Sequence, residues 1–151
     1  MVSLNIIERE APAYEWLEQL KQYASVADNA QDSLLNALLT RACLRVQEMA
    51  DRSILACTFS LRDSEVEDNT VRLYQTVAQV LNVKTPAGSE VDWSERSNGV
   101  RVYNDDVIVT YKTEPRQADI DDLLPVVFQY ATALYDGEDS RTLANILTQC
   151  R

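Results

Sequence analysis

Three acidic clusters come nearest, by residue type and spacing, to doing chemistry. Asp119, Asp121 and Asp122 stand together ahead of an apolar run. Carboxylates so placed can hold a divalent ion, but they equally suit a first helical turn, where they satisfy free N–H groups and oppose the macrodipole. The helical role is the expected one. Asp63, Glu65, Glu67 and Asp68 alternate like an ion loop. They lack the glycine and bidentate glutamate of a calcium hand, so a solvated loop is expected. Asp136, Glu138 and Asp139 carry the same weak signal. No metal or cofactor is expected at any of these clusters.

Histidine is absent from the 151 residues. That removes the usual general base of Ser–His and Cys–His chemistry and the commonest transition-metal ligand. No catalytic residue is expected, and the chain reads as a structural protein and not an enzyme. Its three cysteines, Cys43, Cys57 and Cys150, are odd in number and widely spaced, a poor disulfide framework. Cys43 and Cys57 are expected to be small buried hydrophobes, and Cys150 an exposed labelling handle. Tyr14, Trp16, Trp93, Tyr103, Tyr111, Tyr130 and Tyr135 are not interleaved with basic residues. They suit core or interface anchoring better than base stacking. Net charge is −10 and the sequence pI about 4.4. Nucleic-acid binding depends on Lys and Arg displacing counterions, so this chain should not bind a nucleic-acid backbone, though it could sit close to one without adhering.

The elements that position these residues follow from hydropathy and its period. A hydrophobic share of 46% and a charged share of 25% are those of a soluble globular protein. No apolar run approaches the roughly 18 residues of a membrane span, and the first ten residues lack a basic region followed by an apolar one. No membrane association and no signal peptide are expected, and the protein is read as made and kept in a cytoplasm.

Residues 12–23 read as a short amphipathic helix with Pro12 in its first turn. Residues 29–50 are the clearest element, because Leu34, Leu35, Leu38, Leu39, Ala42, Cys43, Val46, Met49 and Ala50 recur at helical spacing, with Asn29 or Asp28 as cap. Strands are expected at residues 54–61, 70–74, 77–84, 91–94 and 107–111, with turn chemistry at 85–89 and a tight turn at Asn98-Gly99. A second long helix is expected over residues 119–135, its start drawn toward Asp122 by Pro125. Asp136-Gly137 ends it, and Ser140 is the expected cap of a last helix. The sum is an α+β fold: a small antiparallel β-meander packed with two long helices, a short C-terminal helix and an N-terminal helical extension. Residues 1–27 form the extension and residues 28–151 the α+β domain.

The second long helix is apolar nearly all round, through Val127, Tyr130 and Leu134. A helix of that kind is covered on more than one side, and in so small a domain a neighbouring copy is the simplest cover. Val127, Tyr130 and Leu134 are therefore candidate subunit-interface residues. Arg41, Arg45 and Arg52, on the first long helix and its exit and off its apolar stripe, are candidates to meet a neighbour's carboxylates, although exposed helix charges usually contribute little.

Three stretches then carry a family resemblance. Asp32-Ser33-Leu34-Leu35-Asn36-Ala37-Leu38-Leu39-Thr40-Arg41-Ala42 follows the pattern D-x-x-L-x-x-L-I-x-x-A in outline. Val46-Gln47-Glu48-Met49-Ala50-Asp51-Arg52-Ser53-Ile54-Leu55 follows V-E-x-x-x-G-R-x-L, with Asp51 where glycine is common. Val107-Ile108-Val109-Thr110-Tyr111 matches V-x-V-x-Y before an apolar helix. With the order of elements, these resemble the head–tail connector (adaptor) proteins of tailed bacteriophages and related gene-transfer particles. The resemblance implies a virion protein, synthesised in the host bacterial cytoplasm, in a ring of roughly 12 copies at the head–tail junction. It implies docking on the portal protein, an extended DNA channel, and a platform for the next connector or tail protein. An acidic channel lining would repel phosphate over about 8 Å at physiological salt. The last helix is the implied portal-binding segment, through Leu143, Ile146, Leu147 and Arg151. The alternatives are another head–tail ring component (a stopper or tail-terminator, richer in strand) or a small acidic cytoplasmic binding or regulatory protein.

Overall fold

The computed structural model describes residues 1–150. The fold is α+β, and its contacts gather into two compact units. One comprises Met1–Arg9 and Ala56–Glu114; the other comprises Glu10–Leu55 and the chain from Pro115 onward.

The first unit holds every strand: β1 (Val2–Arg9), β2 (Cys57–Asp63), β3 (Thr70–Arg72), β4 (Val77–Lys84), β5 (Ser94–Arg96), β6 (Gly99–Arg101) and β7 (Val107–Thr113). They form a four-stranded sheet, β1-β2-β7-β4, and a three-stranded one, β3-β6-β5, with antiparallel pairing throughout. The period-two pattern of β2 and β7 decides the packing. Cys57, Phe59, Leu61 and Asp63 alternate with more exposed residues, and so do Val107, Val109, Tyr111 and Thr113. Phe59 lies opposite Tyr111 in the ladder, and their rings stack with centroids 5.5 Å apart. The hydroxyl of Tyr111 accepts from the Tyr74 N–H at 3.3 Å, and Thr113 Oγ1 accepts from the Cys57 N–H at 3.2 Å. Buried polar atoms on these strands thus keep partners.

Three local expectations change here. Residues 2–9 are a strand paired with β2, not part of a helical extension. Val2, Leu4 and Ile6 alternate with polar residues, a period-two signal that favours a ladder. Asp68 and Asn69, read as open loop, are the two central residues of a tight turn, with φ of 53° and 57° and a bridge between Glu67 and Thr70. That is the left-handed pair a two-residue hairpin requires. The turn before β6 falls on Ser97-Asn98, and Gly99 opens β6. A Cβ on Gly99 would lie 2.0 Å from the carbonyl oxygen of Val71, so glycine is there for the close approach of β3.

The second unit holds the helices: α1 (Tyr14–Tyr23), α2 (Asp32–Ala50), α3 (Gln117–Tyr135) and α4 (Ser140–Leu147), followed by a 3₁₀ turn, Thr148–Cys150. Helix α3 packs against α2, α1, α4 and that turn. Leu20, Leu35, Leu39, Val46, Leu123 and Val127 are buried among them. Helix α3 begins at Gln117 and runs through Pro125. The proline ring sits on the exposed side, where the Asp121 carbonyl without an i+4 donor can meet water. Gly137, at φ 72°, closes the helix: its N–H bonds to the Leu134 carbonyl at 3.2 Å, and the Glu138 N–H to that of Ala133 at 2.9 Å. These are the two bonds of a Schellman ending. Asp139, not Ser140, caps α4, accepting from the Thr142 N–H at 2.9 Å.

Candidate functional site

Arg52 answers the question posed by the first acidic cluster. It leaves α2 just past Asp51, and its Nη1 lies 3.2 Å from Asp119 and 3.4 Å from Asp122 at the start of α3. Asp121 turns to the side-chain amide of Gln117 at 2.9 Å. A guanidinium therefore stands where a cation would, and the acidic start of α3 joins it to the α2 exit. Asp51 itself adopts φ 53° and ψ 35° as the C-cap of α2. A left-handed cap is where glycine is least strained, which explains the glycine in the connector pattern.

Two buried polar residues went unsingled in the sequence. Gln47 is 1% exposed, and its Oε1 accepts from the N–H groups of Ile54 and Leu55, both at 3.0 Å. It thereby fixes the chain leaving α2. Lys21 is 4% exposed on the inner side of α1, with Nζ 2.9 Å from Asp32 and 2.5 Å from Asn29. The bond to Asp32 raises the Lys21 pKa above its ordinary value, outweighing the opposing effect of burial. A lysine beside Leu17 and Leu20 at helical spacing was the available signal.

The cysteines divide differently from expectation. Cys43 and Cys57 are buried as expected, but Cys150 is buried too, at 6% exposure, because the 3₁₀ turn folds it in with α2 and α3. Burial pushes the Cys43 thiol up to about 12 and raises that of Cys150, against a smaller lowering by Arg52.

The candidate interface residues fall into two groups. Val127 is fully buried and Tyr130 is 5% exposed, while Leu134 is half-buried. Helices α1, α2 and α4 of the same unit pack on α3, so Val127 has no face left for a neighbour, while Ile120, Leu124, Phe128 and Leu134 stay part-exposed. Arg41 and Arg45 are exposed on the outer stripe of α2. They line, with Ala37, Thr40, Leu44, Glu48 and the edge of Tyr130, a groove of about 420 Å³. Arg45 also lines an adjoining groove of about 210 Å³ with Met49, Ala144, Asn145, Leu147 and Thr148. Of the implied portal-binding residues, Leu147 is buried at 4%, while Leu143 and Ile146 are half-buried; Arg151 lies outside the described residues.

These surfaces offer apolar floors with charged rims, and among the described residues no cluster of His, Cys, Asp or Glu is arranged to hold a metal ion. No described helix is long and apolar enough to cross a membrane. No protein-family model and no curated protein matches the sequence. Solved structures do match. A chain from the neck of an empty gene transfer agent particle, computed with C6 symmetry, superposes with a TM-score of 0.69 at 14% identity, covering 99% of this chain and 95% of that one. The fold is that of a neck chain. A chain of the native gene transfer agent virion gives 0.67 at 15% identity, over 98% of this chain and 94% of that one. One from the native neck, computed with C12 symmetry, gives 0.65 at 15% identity, over 99% and 94%. This neck-chain fold includes both compact units, the β1 strand as well as the helices.

Proposed function

We propose that this chain is a structural subunit of the head–tail junction in a phage-like particle. It forms a ring that docks on the portal, extends the DNA channel and receives the next connector or tail protein. The observation that carries the reading is the whole-length likeness to neck chains, with a TM-score of 0.69 over 99% of this chain. Those neck structures were computed with C6 and C12 symmetry, which supports a ring of 12 copies here. A helix share of about 39% favours a connector over the strand-richer stoppers and tail-terminators. The acidic balance suits a channel that DNA traverses without sticking. No catalytic step is assigned to the chain.

Portal docking belongs to α4 in this reading, through Leu143 and Ile146, the half-buried members of its apolar side. Truncating the chain after Ser140 would also strip Leu147 and Cys150 from the helical core, so point substitutions are the sharper test. L143D/I146D should fold and lose portal binding in pull-down and electron micrographs. Undiminished binding by that variant would remove α4 from the docking surface, and particles lacking any ring of this chain would overturn the junction reading itself.

A further inference from the structure

We infer that the exposed stripe of α2 receives the exposed face of α1 from a second copy, head to tail, around the proposed ring. The contact rests on that ring reading. The α2 stripe carries Leu34, Ala37, Arg41, Leu44 and Arg45, all at helical spacing and none fully buried. Leu34 is 49% exposed, and the groove beside it has an apolar floor against Tyr130. Arg45 pairs with Glu48 at 3.2 Å, whereas Arg41 has no carboxylate partner among the described residues. In a chain of net charge −10, an uncompensated arginine beside an apolar groove is where another acidic copy can approach.

Helix α1 presents the complement. Tyr14 is 75% exposed, and Glu15 and Glu18 are exposed beside it. Tyr14 and Glu18 are four residues apart and Glu15 and Glu18 three, so the ring and both carboxylates share one face. An exposed tyrosine flanked by carboxylates matches an apolar groove flanked by arginines: the ring fills the groove and the carboxylates meet Arg41 and Arg45. The two faces are unlike and opposite in charge. A twofold contact would use both pairings between the same two copies and stop at a dimer, so a ring needs each copy to give one face to each neighbour. Unlike faces instead associate head to tail, and such a contact closes into a ring when the rotation allows.

The test reverses each face in the full chain: R41E/R45E on one side, E15R/E18R on the other. Because Arg41 and Arg45 are exposed, R41E/R45E should keep the parent's thermal midpoint, and E15R/E18R should lose only what Glu18 gives the nearby Lys21. Self-association, followed by sedimentation at low salt and by ring counts in micrographs, should weaken by about tenfold or more in each variant alone. Mixed one to one, the two variants should form rings again, alternating, since each then offers the charge the other lacks. Association of either variant at parental strength, or failure of the mixture to recover, would overturn this contact. A parent that forms rings in those same experiments leaves the junction reading standing; a parent that forms none, alone or in particles, overturns both.

Discussion

Gln47 is an uncharged amide buried to 1% exposure, and one oxygen of it satisfies two backbone donors. Replacing it by leucine keeps the volume but leaves the N–H groups of Ile54 and Leu55 buried without that acceptor. A buried donor that loses its acceptor costs about 1–3 kcal/mol, so Gln47→Leu should destabilise by about that much in urea unfolding. Thiol chemistry makes a second residue-scale prediction. With Cys43, Cys57 and Cys150 buried, and the thiols of Cys43 and Cys150 held above their ordinary pKa, native protein should react with a thiol reagent at mildly alkaline pH only on the unfolding timescale. A fast single-site reaction would show that the 3₁₀ turn opens and frees Cys150.

At the scale of elements, backbone geometry makes the sharpest demands. Gly99→Ala sets a Cβ against the Val71 carbonyl, a backbone atom that cannot swing aside. The β3–β6 pairing must part, and a loss of about 2–4 kcal/mol in thermal unfolding is expected. Asp51→Val forces a β-branched residue into the left-handed cap of α2 and should cost about 1–2 kcal/mol, while Asp51→Gly is tolerated. The long helices were legible because their apolar residues repeat over five turns, and β7 because Val107, Val109 and Tyr111 alternate. Strand β1 was missed although Val2, Leu4 and Ile6 alternate, since an edge strand leaves most of its side chains exposed and borrows its stability from β2. Interfaces were least legible. Whether Val127 faces a neighbour or its own core depends on what α1, α2 and α4 cover, and periodicity says only that something must.

For the whole molecule, charge sets the working range of pH, and the two units respond to different limits. In the sheet unit, Arg62 makes two hydrogen bonds to Asp106, at 3.1 and 2.8 Å, and these hold the Asp106 carboxyl below its ordinary value. In the helical unit, the Thr142 N–H does the same for the α4 cap, Asp139. A depressed carboxylate pKa means the unfolded chain binds protons more readily, so this stability is complete above about pH 4 and lost as pH falls further. Lys21 has the opposite sign. Its raised pKa favours the folded state below its ordinary 10.5, and that contribution is lost as pH climbs through the higher folded value. Thermal midpoints should therefore hold a plateau between about pH 4 and pH 10 and fall on both sides, for different reasons. Lys21→Met should lower the plateau and flatten the alkaline limb while leaving the acid limb in place; Asp106→Asn should lower the plateau slightly and make the acid limb shallower, leaving the alkaline limb and the share held by Asp139 in place. An alkaline limb unchanged in Lys21→Met would mean that the buried ion pair with Asp32 does not hold α1 against α2.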